Sequence, residues 1–184
     1  FFYTIGWFFR AIDLAGPNEF EKSVFDIDYQ HLKEKGYKIL VFDFDNTLNE
    51  WHSDYLQPEV TDLFLKLKDF GFYILIASNS SKKRFKNLDI KLSELGVDLL
   101  ASAMKPLRFK IRKKIKFHGY KPGEGVVIGD QLFTDVALGN ALGFYTIKVK
   151  PLSKKEGLWT RFMRFFEKIA LKWIRKKPTL IKNE

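Results

Sequence analysis

One segment constrains the chain more than any other. Lys38-Ile39-Leu40-Val41-Phe42 is an almost unbroken apolar run, and Asp43-Phe44-Asp45-Asn46-Thr47-Leu48 follows it directly. A short apolar run of this kind fits a strand buried on both faces, as in a parallel sheet. A strand that ends in carboxylates delivers them where open α/β sheets place their active sites. Two aspartates spaced i, i+2 repel each other, so something must hold them together. A divalent cation, a shared proton, or both would do so.

An alternation begins at that strand. The pattern predicts strands near 38–44, 72–77, 97–101, 125–129 and 144–149. Helices are predicted between them, near 57–70, 81–95, 106–118 and 133–142. Pro58 suits a first helical turn, and Gly71, Gly96 and Gly143 suit helix ends. Val60, Leu63, Phe64 and Leu67 give the first of these helices an apolar face. Strands alternating with helices of this length predict an α/β fold, a three-layer doubly wound parallel sheet. At 184 residues the chain has room for one such domain. The expected organisation is an aromatic and helical N-terminal extension over 1–35 packed on the core, a core over 36–152, and a basic amphipathic helix and tail over 153–184. Within the extension, 29–35 reads as a short helix closed by Gly36.

Three more strand ends carry polar groups: Ser78-Asn79-Ser80, Met104-Lys105-Pro106, and Gly129-Asp130-Gln131 with Thr134-Asp135 behind it. Taken singly each is ordinary. Ser78 suits a turn or cap, Lys105 a surface lysine, Asp130 an N-cap and Asp135 a first helical turn. Brought together at successive strand ends they make a metal-bound anion site with a nucleophile. Cysteine is absent, which excludes disulfides, a thiolate metal site and a cysteine nucleophile, and suits a cytosolic setting. His31, His52 and His118 show no metal-ligand spacing and read as surface or packing residues. The net charge of +10 points to anionic partners. No apolar run approaches the roughly 20 residues of a spanning helix.

The four segments resemble, in order and spacing, the four motifs of the haloacid dehalogenase superfamily of phosphatases. Asp43 to Thr47 is similar to motif one, Ser78 to motif two, Lys105 to motif three, and Gly129-Asp130 through Asp135 to motif four. The stretch from Asn18 to Lys35 and the Lys105-Pro106 pair resemble subclass IIIA, a group related to phosphatidylglycerophosphate phosphatases. The resemblance implies that Asp43 is the nucleophile and forms an aspartyl-phosphate. It implies that Asp45 is the general acid and base, a task requiring a raised pKa that neighbouring carboxylates would favour. Mg²⁺ would be held by Asp43, the Asp45 carbonyl and Asp130. Ser78, Asn79 and Lys105 would bind the phosphoryl oxygens, with Lys105 also offsetting the Asp43 charge. Asp135 and Thr47 would act from behind these groups.

Superfamily members often carry a cap domain after motif one or between motifs two and three. Leu48 to Phe72 and Asn79 to Lys105 leave no room for one, so an open site is expected. An open site suits a large phosphomonoester substrate, and the subclass resemblance favours phosphatidylglycerophosphate or a similar anionic phospholipid at the inner face of the membrane. A phosphatase of a sugar phosphate, nucleotide or phosphoprotein stays open as an alternative, as does a non-enzymatic RNA- or protein-binding member of the fold. The basic run Lys105 to Lys116 fits either a solvated helix face or attraction to anionic lipid or nucleic acid. The expected helix over 156–177 places Leu158, Phe162, Phe166, Ile169, Ala170 and Trp173 on one stripe. It would pack on the core, lie peripherally on an anionic membrane, or bind a partner.

Overall fold

A computed structural model describes residues 16–51, 53, 55–153 and 166–172. Six strands form one parallel sheet: β1 (Glu19–Glu21), β2 (Ile39–Phe42), β3 (Tyr73–Ala77), β4 (Asp98–Leu100), β5 (Gly125–Gly129) and β6 (Tyr145–Val149), in the spatial order β1-β6-β5-β2-β3-β4. The helices are α1 (Tyr29–Glu34), α2 (Pro58–Asp69), α3 (Lys86–Glu94), α4 (Phe109–Phe117) and α5 (Ala137–Leu142). A single π-helical turn, Leu132–Val136, runs straight into α5.

Side-chain alternation along the strands builds the three layers. In β2, Leu40 and Phe42 point to the side packed by Val60, Phe64 and Leu67 of α2 and by Leu88 and Leu92 of α3. Ile39 and Val41 point to the other side, against Ile111 and Ile115 of α4 and Leu138 and Leu142 of α5. All four residues of β2 are buried, as a continuous apolar run in a central strand requires. The expected α/β architecture is therefore what the chain adopts. Among the described residues, no further domain interrupts 43–57 or 78–97, so the site has no cap.

The order of strands decides where chemistry can sit. The chain steps from β2 outward to β3 and β4, then returns to the other side of β2 to lay down β5 and β6. β2 and β5 therefore diverge in connectivity while lying hydrogen-bonded together, with Phe42 opposite Ile128. Such a switch point opens a crevice at the carboxyl ends of the two strands.

β1 is the element the sequence did not announce. Glu19-Phe20-Glu21 has one apolar residue and lies at the sheet edge beside β6, so it carries no buried run. Asn18 secures it: its Oδ1 accepts from the Thr146 backbone N at 2.8 Å and from Thr146 Oγ1 at 2.9 Å. At the other end of the chain, 166–172 is helical, and Ala170 packs on Leu132 and Val136. Most of the expected helix over 156–177, and the aromatic residues 1–15, lie outside the described residues, as does His52.

Candidate active site

Asp43 leaves the end of β2, and its backbone N donates to the Ile128 carbonyl of β5 at 2.9 Å. The chain then turns sharply. The Phe44 carbonyl accepts from the backbone N of Leu48 and of Asn49, each at 3.1 Å. Asn46 takes a left-handed conformation, φ 62°, which asparagine tolerates better than most residues. Its backbone N donates to the Asn49 carbonyl at 2.7 Å, and its own carbonyl accepts from Leu152 N at 3.0 Å. The Asn after the second aspartate thus has a backbone reason to be there.

Lys105 arrives from the end of β4 and is buried. Its Nζ donates to Asp43 Oδ1 at 2.5 Å and to Asp135 Oδ1 at 2.6 Å. Asn79, at the end of β3, clamps the Lys105 main chain: Lys105 N donates to Asn79 Oδ1 at 2.7 Å, and Asn79 Nδ2 donates to the Lys105 carbonyl at 3.0 Å. The Asn79 side chain expected on the phosphate holds Lys105 in place, and its Nδ2 keeps a second hydrogen to donate. Ser78 is buried, and its Oγ accepts from Ser80 N at 3.1 Å, which leaves its hydroxyl hydrogen to donate elsewhere.

Asp130 follows β5 and is fully buried. Thr47 Oγ1 donates to its Oδ1 at 3.4 Å, and Lys148 Nζ donates to its carbonyl at 2.8 Å. Asp135 is set by the π-helical turn, whose Asp135 and Val136 amides both donate to the Gln131 carbonyl, at 3.1 and 3.2 Å. Gly129 makes room for it. A Cβ at Gly129 would stand 2.4 Å from the Asp135 side chain, far inside contact distance.

Asp43, Asp130 and Asp135 each offer a carboxylate oxygen within 4.8 Å of the other two. With all three ionised, Lys105 between two of them and Lys148 on the Asp130 carbonyl, the cluster still holds more negative than positive charge. The electrostatics carry the mark of that imbalance. Burial, together with the charges of Asp135 and Asp130, pushes the Asp43 carboxyl well above the usual carboxylate range despite Lys105. Burial alone would depress the Lys105 ammonium, but Asp135 and Asp43 outweigh it and hold the group above its ordinary value. Asp43 Oδ2 is buried with no hydrogen-bond partner. A cluster of hard oxygen donors with one orphaned oxygen fits a hard divalent cation.

Asp45 meets a partner that was not expected. Arg84 grips both its oxygens, Nη1 to Oδ2 and Nη2 to Oδ1, each at 2.7 Å. Ser80 Oγ donates to Oδ2 at 3.1 Å. Arg84 Nη2 also donates to the Ser53 carbonyl at 2.7 Å, and the guanidinium lies 5.0 Å from the Phe85 ring centroid and 5.7 Å from that of Phe44. Asp45 is thus paired with a cation in this structure. In sequence Arg84 ends the run Lys82-Lys83-Arg84, which looks like a solvated basic cluster. His118 lies beside Asp98 and Tyr73, away from the carboxylate cluster, and His31 is exposed on α1.

Residues 15–152 match the family model described as mitochondrial PGP phosphatase. The chain belongs to that family. Its relatives include a protein named probable phosphatase YqeG from Bacillus subtilis, 35% identical over 88% of this chain and 92% of the relative. Another is named phosphatidylglycerophosphate phosphatase 1 from Arabidopsis thaliana, 33% identical over 87% of this chain, which spans 48% of that longer protein. Family membership makes this chain a phosphatase, a phosphoric monoester hydrolase, as the four motifs implied. A solved structure of a Listeria monocytogenes serotype 4b protein shares the fold, with a TM-score of 0.50 at 17% identity, over 76% of this chain and 99% of that one.

Proposed function

We propose that this PGP phosphatase family member hydrolyses a phospholipid monoester, phosphatidylglycerophosphate, through an aspartyl-phosphate on Asp43. The observation that carries the reading is the Asp43 carboxylate. It sits at the switch point with Oδ1 fixed by Lys105 and Oδ2 buried without a partner. A carboxylate so placed can be a nucleophile without first breaking out of a protein hydrogen bond.

In the first step a carboxylate oxygen of Asp43 bonds to phosphorus as the ester bond breaks. The leaving alkoxide takes a proton from Asp45. In the second step Asp45 takes a proton from water, the water oxygen bonds to phosphorus, and Asp43 is released together with inorganic phosphate. Lys105 and the Ser78 hydroxyl offer hydrogen-bond donors to the phosphoryl oxygens. Asp43, Asp130 and the Asp45 carbonyl would hold Mg²⁺, with Asp135 beside them, and the ion would neutralise charge on the phosphoryl group. Asn79 keeps Lys105 in register, and Thr47 orients Asp130. Arg84 positions Asp45. Because the guanidinium fork occupies both carboxylate oxygens, Asp45 must leave that grip, or share it, to handle a proton.

The lipid substrate rests on the family and on the names of relatives, with the uncapped site as the physical support. Phosphate release from micellar phosphatidylglycerophosphate, sugar phosphates, nucleotides and phosphopeptides, with Asp43→Asn as the blank, tests it. Preference for the lipid by a wide margin supports the proposal. Turnover of soluble esters with none of the lipid sinks the substrate and keeps the chemistry.

A further inference from the structure

The loops around the site expose side chains that neither the fold nor the chemistry uses. After β4, Met104, Leu107 and Phe109 are 47%, 52% and 54% exposed. They flank Lys105, which turns inward to the carboxylates while its neighbours turn out. Met104 stands out to solvent at φ 63°, a conformation that a long unbranched side chain rarely adopts. Arg108 stands between them in sequence and is exposed, but its Nη1 donates to the Ala141 carbonyl of α5, so its charge is held by the fold. After β3, on the neighbouring strand, Lys82 and Lys83 are exposed. Neither 78–86 nor 101–121 contains an Asp or a Glu.

In a parallel sheet the loops after β3 and β4 emerge on the same edge as Asp43 and Asp130. The mouth of the site is therefore rimmed by aliphatic and aromatic side chains on the loop after β4 and by Lys82 and Lys83 on the loop after β3. We infer that this rim is the surface by which the protein lies on an anionic lipid membrane, with Leu107 and Phe109 entering the acyl boundary and Lys82 and Lys83 meeting the headgroups. The inference rests on the lipid-phosphatase reading only for its biological sense; the surface itself is argued from exposure and charge.

Two features favour a bilayer over nucleic acid. Met104 and Leu107 gain from leaving water for hydrocarbon and have no ring to stack on a base. The loop with Lys82 and Lys83 and the loop with Leu107 follow adjacent strands, which sets charge beside apolar surface, the arrangement that suits an interfacial element. Docked this way, the site faces the headgroup layer, so a phosphomonoester reaches Asp43 without its lipid leaving the membrane.

The test uses the full chain and co-sedimentation with phosphatidylglycerol–phosphatidylcholine vesicles, against pure phosphatidylcholine, at low and high salt. The wild type should pellet with the anionic vesicles and release with salt. The double variants Leu107→Ser/Phe109→Ser and Lys82→Glu/Lys83→Glu should each weaken binding by about tenfold or more. Both should keep wild-type hydrolysis of p-nitrophenyl phosphate, which reports the intact fold and site. Failure of the wild type to pellet, wild-type pelleting by both variants, or tighter binding of single-stranded RNA than of vesicles would overturn the inference. Vesicle binding without p-nitrophenyl phosphate turnover would sink the proposed chemistry and leave the surface standing.

Discussion

Lys105 Nζ bridges Asp43 and Asp135 in a place sealed from solvent, so its charge is not replaceable by water. Lys105→Met should cost about 3–5 kcal/mol of stability, because it leaves buried carboxylates uncompensated. Urea unfolding without added metal measures this, and a change under 1 kcal/mol would mean the three carboxylates do not depend on the lysine. Arg84 makes a different prediction. Arg84→Lys keeps the charge but loses the fork on Asp45, so kcat should fall by about ten- to a hundredfold while KM for p-nitrophenyl phosphate holds. A rise in KM at constant kcat would mean that Arg84 binds substrate instead of positioning Asp45. These two residues also mark what a sequence can disclose. Lys105 was legible through the resemblance, as the lysine that follows the third predicted strand; taken singly it reads as a surface lysine. Arg84 was not, because it follows two lysines and its distinction lies in the Asp45, Phe44 and Phe85 it meets in space. Asn79 was half legible: its position after Ser78 pointed to the site, but only the fold shows its amide clamping the Lys105 backbone.

Short elements hold the site together through polar contacts as much as through apolar area. β4 has only three residues, and Asp98 anchors it. Tyr73 Oη donates to Asp98 Oδ2 at 2.5 Å and Lys114 Nζ lies 2.8 Å from the same oxygen, tying β3 and α4 to the strand that delivers Lys105. Partial burial pushes the Asp98 carboxyl up, but the hydrogen bonds from Lys114 and Tyr73 and the charges of Lys114 and His118 win and hold it below the ordinary carboxylate value. A carboxyl depressed in the folded state adds stability above its unfolded pKa of about 3.9 and loses it as pH falls through the folded value. Asp98→Asn should therefore melt below wild type at pH 7, with the gap closing as the pH drops below about 4. A gap that persists unchanged at low pH would show that packing, not charge, is responsible. The long helices and buried strands could be located from apolar periodicity. β1 could not, since two of its three residues are charged and its stability comes from pairing with β6 and from Asn18. The π-helical turn was also invisible, because Leu132 to Val136 reads as the start of a helix; Gly129 in the strand before it is the one sign that Asp135 comes unusually close.

At the scale of the whole molecule, folding gathers residues from four strand ends into one crevice and leaves it short of positive charge. Among the described residues, no helix is long and apolar enough to cross a membrane. The charge deficit predicts that Mg²⁺ binds the folded state and stabilises it. At a hundredfold excess over its Kd the ion should add about 2.7 kcal/mol, which for a domain of this size raises Tm by about 5–10 °C. Asp130→Asn should lose most of that rise in a thermal melt, and an undiminished rise would place the ion elsewhere. Periodicity placed Ala170 on an apolar stripe, with packing on the core as one of its readings, but not the partner: Ala170 packs on the π-helical turn and Glu167 accepts from Leu132 N at 2.6 Å, contacts between segments far apart in sequence. The central claim is that Asp43 carries the phosphoryl group between substrate and water. Acid quenching of the enzyme during steady-state turnover with Mg²⁺, followed by peptide mass mapping, tests it most directly. The account predicts one phosphoryl group on the peptide containing Asp43, absent without the ion and absent in Asp43→Asn. Continued turnover by Asp43→Asn, with no phosphoryl group on the peptide at any time point, would contradict it.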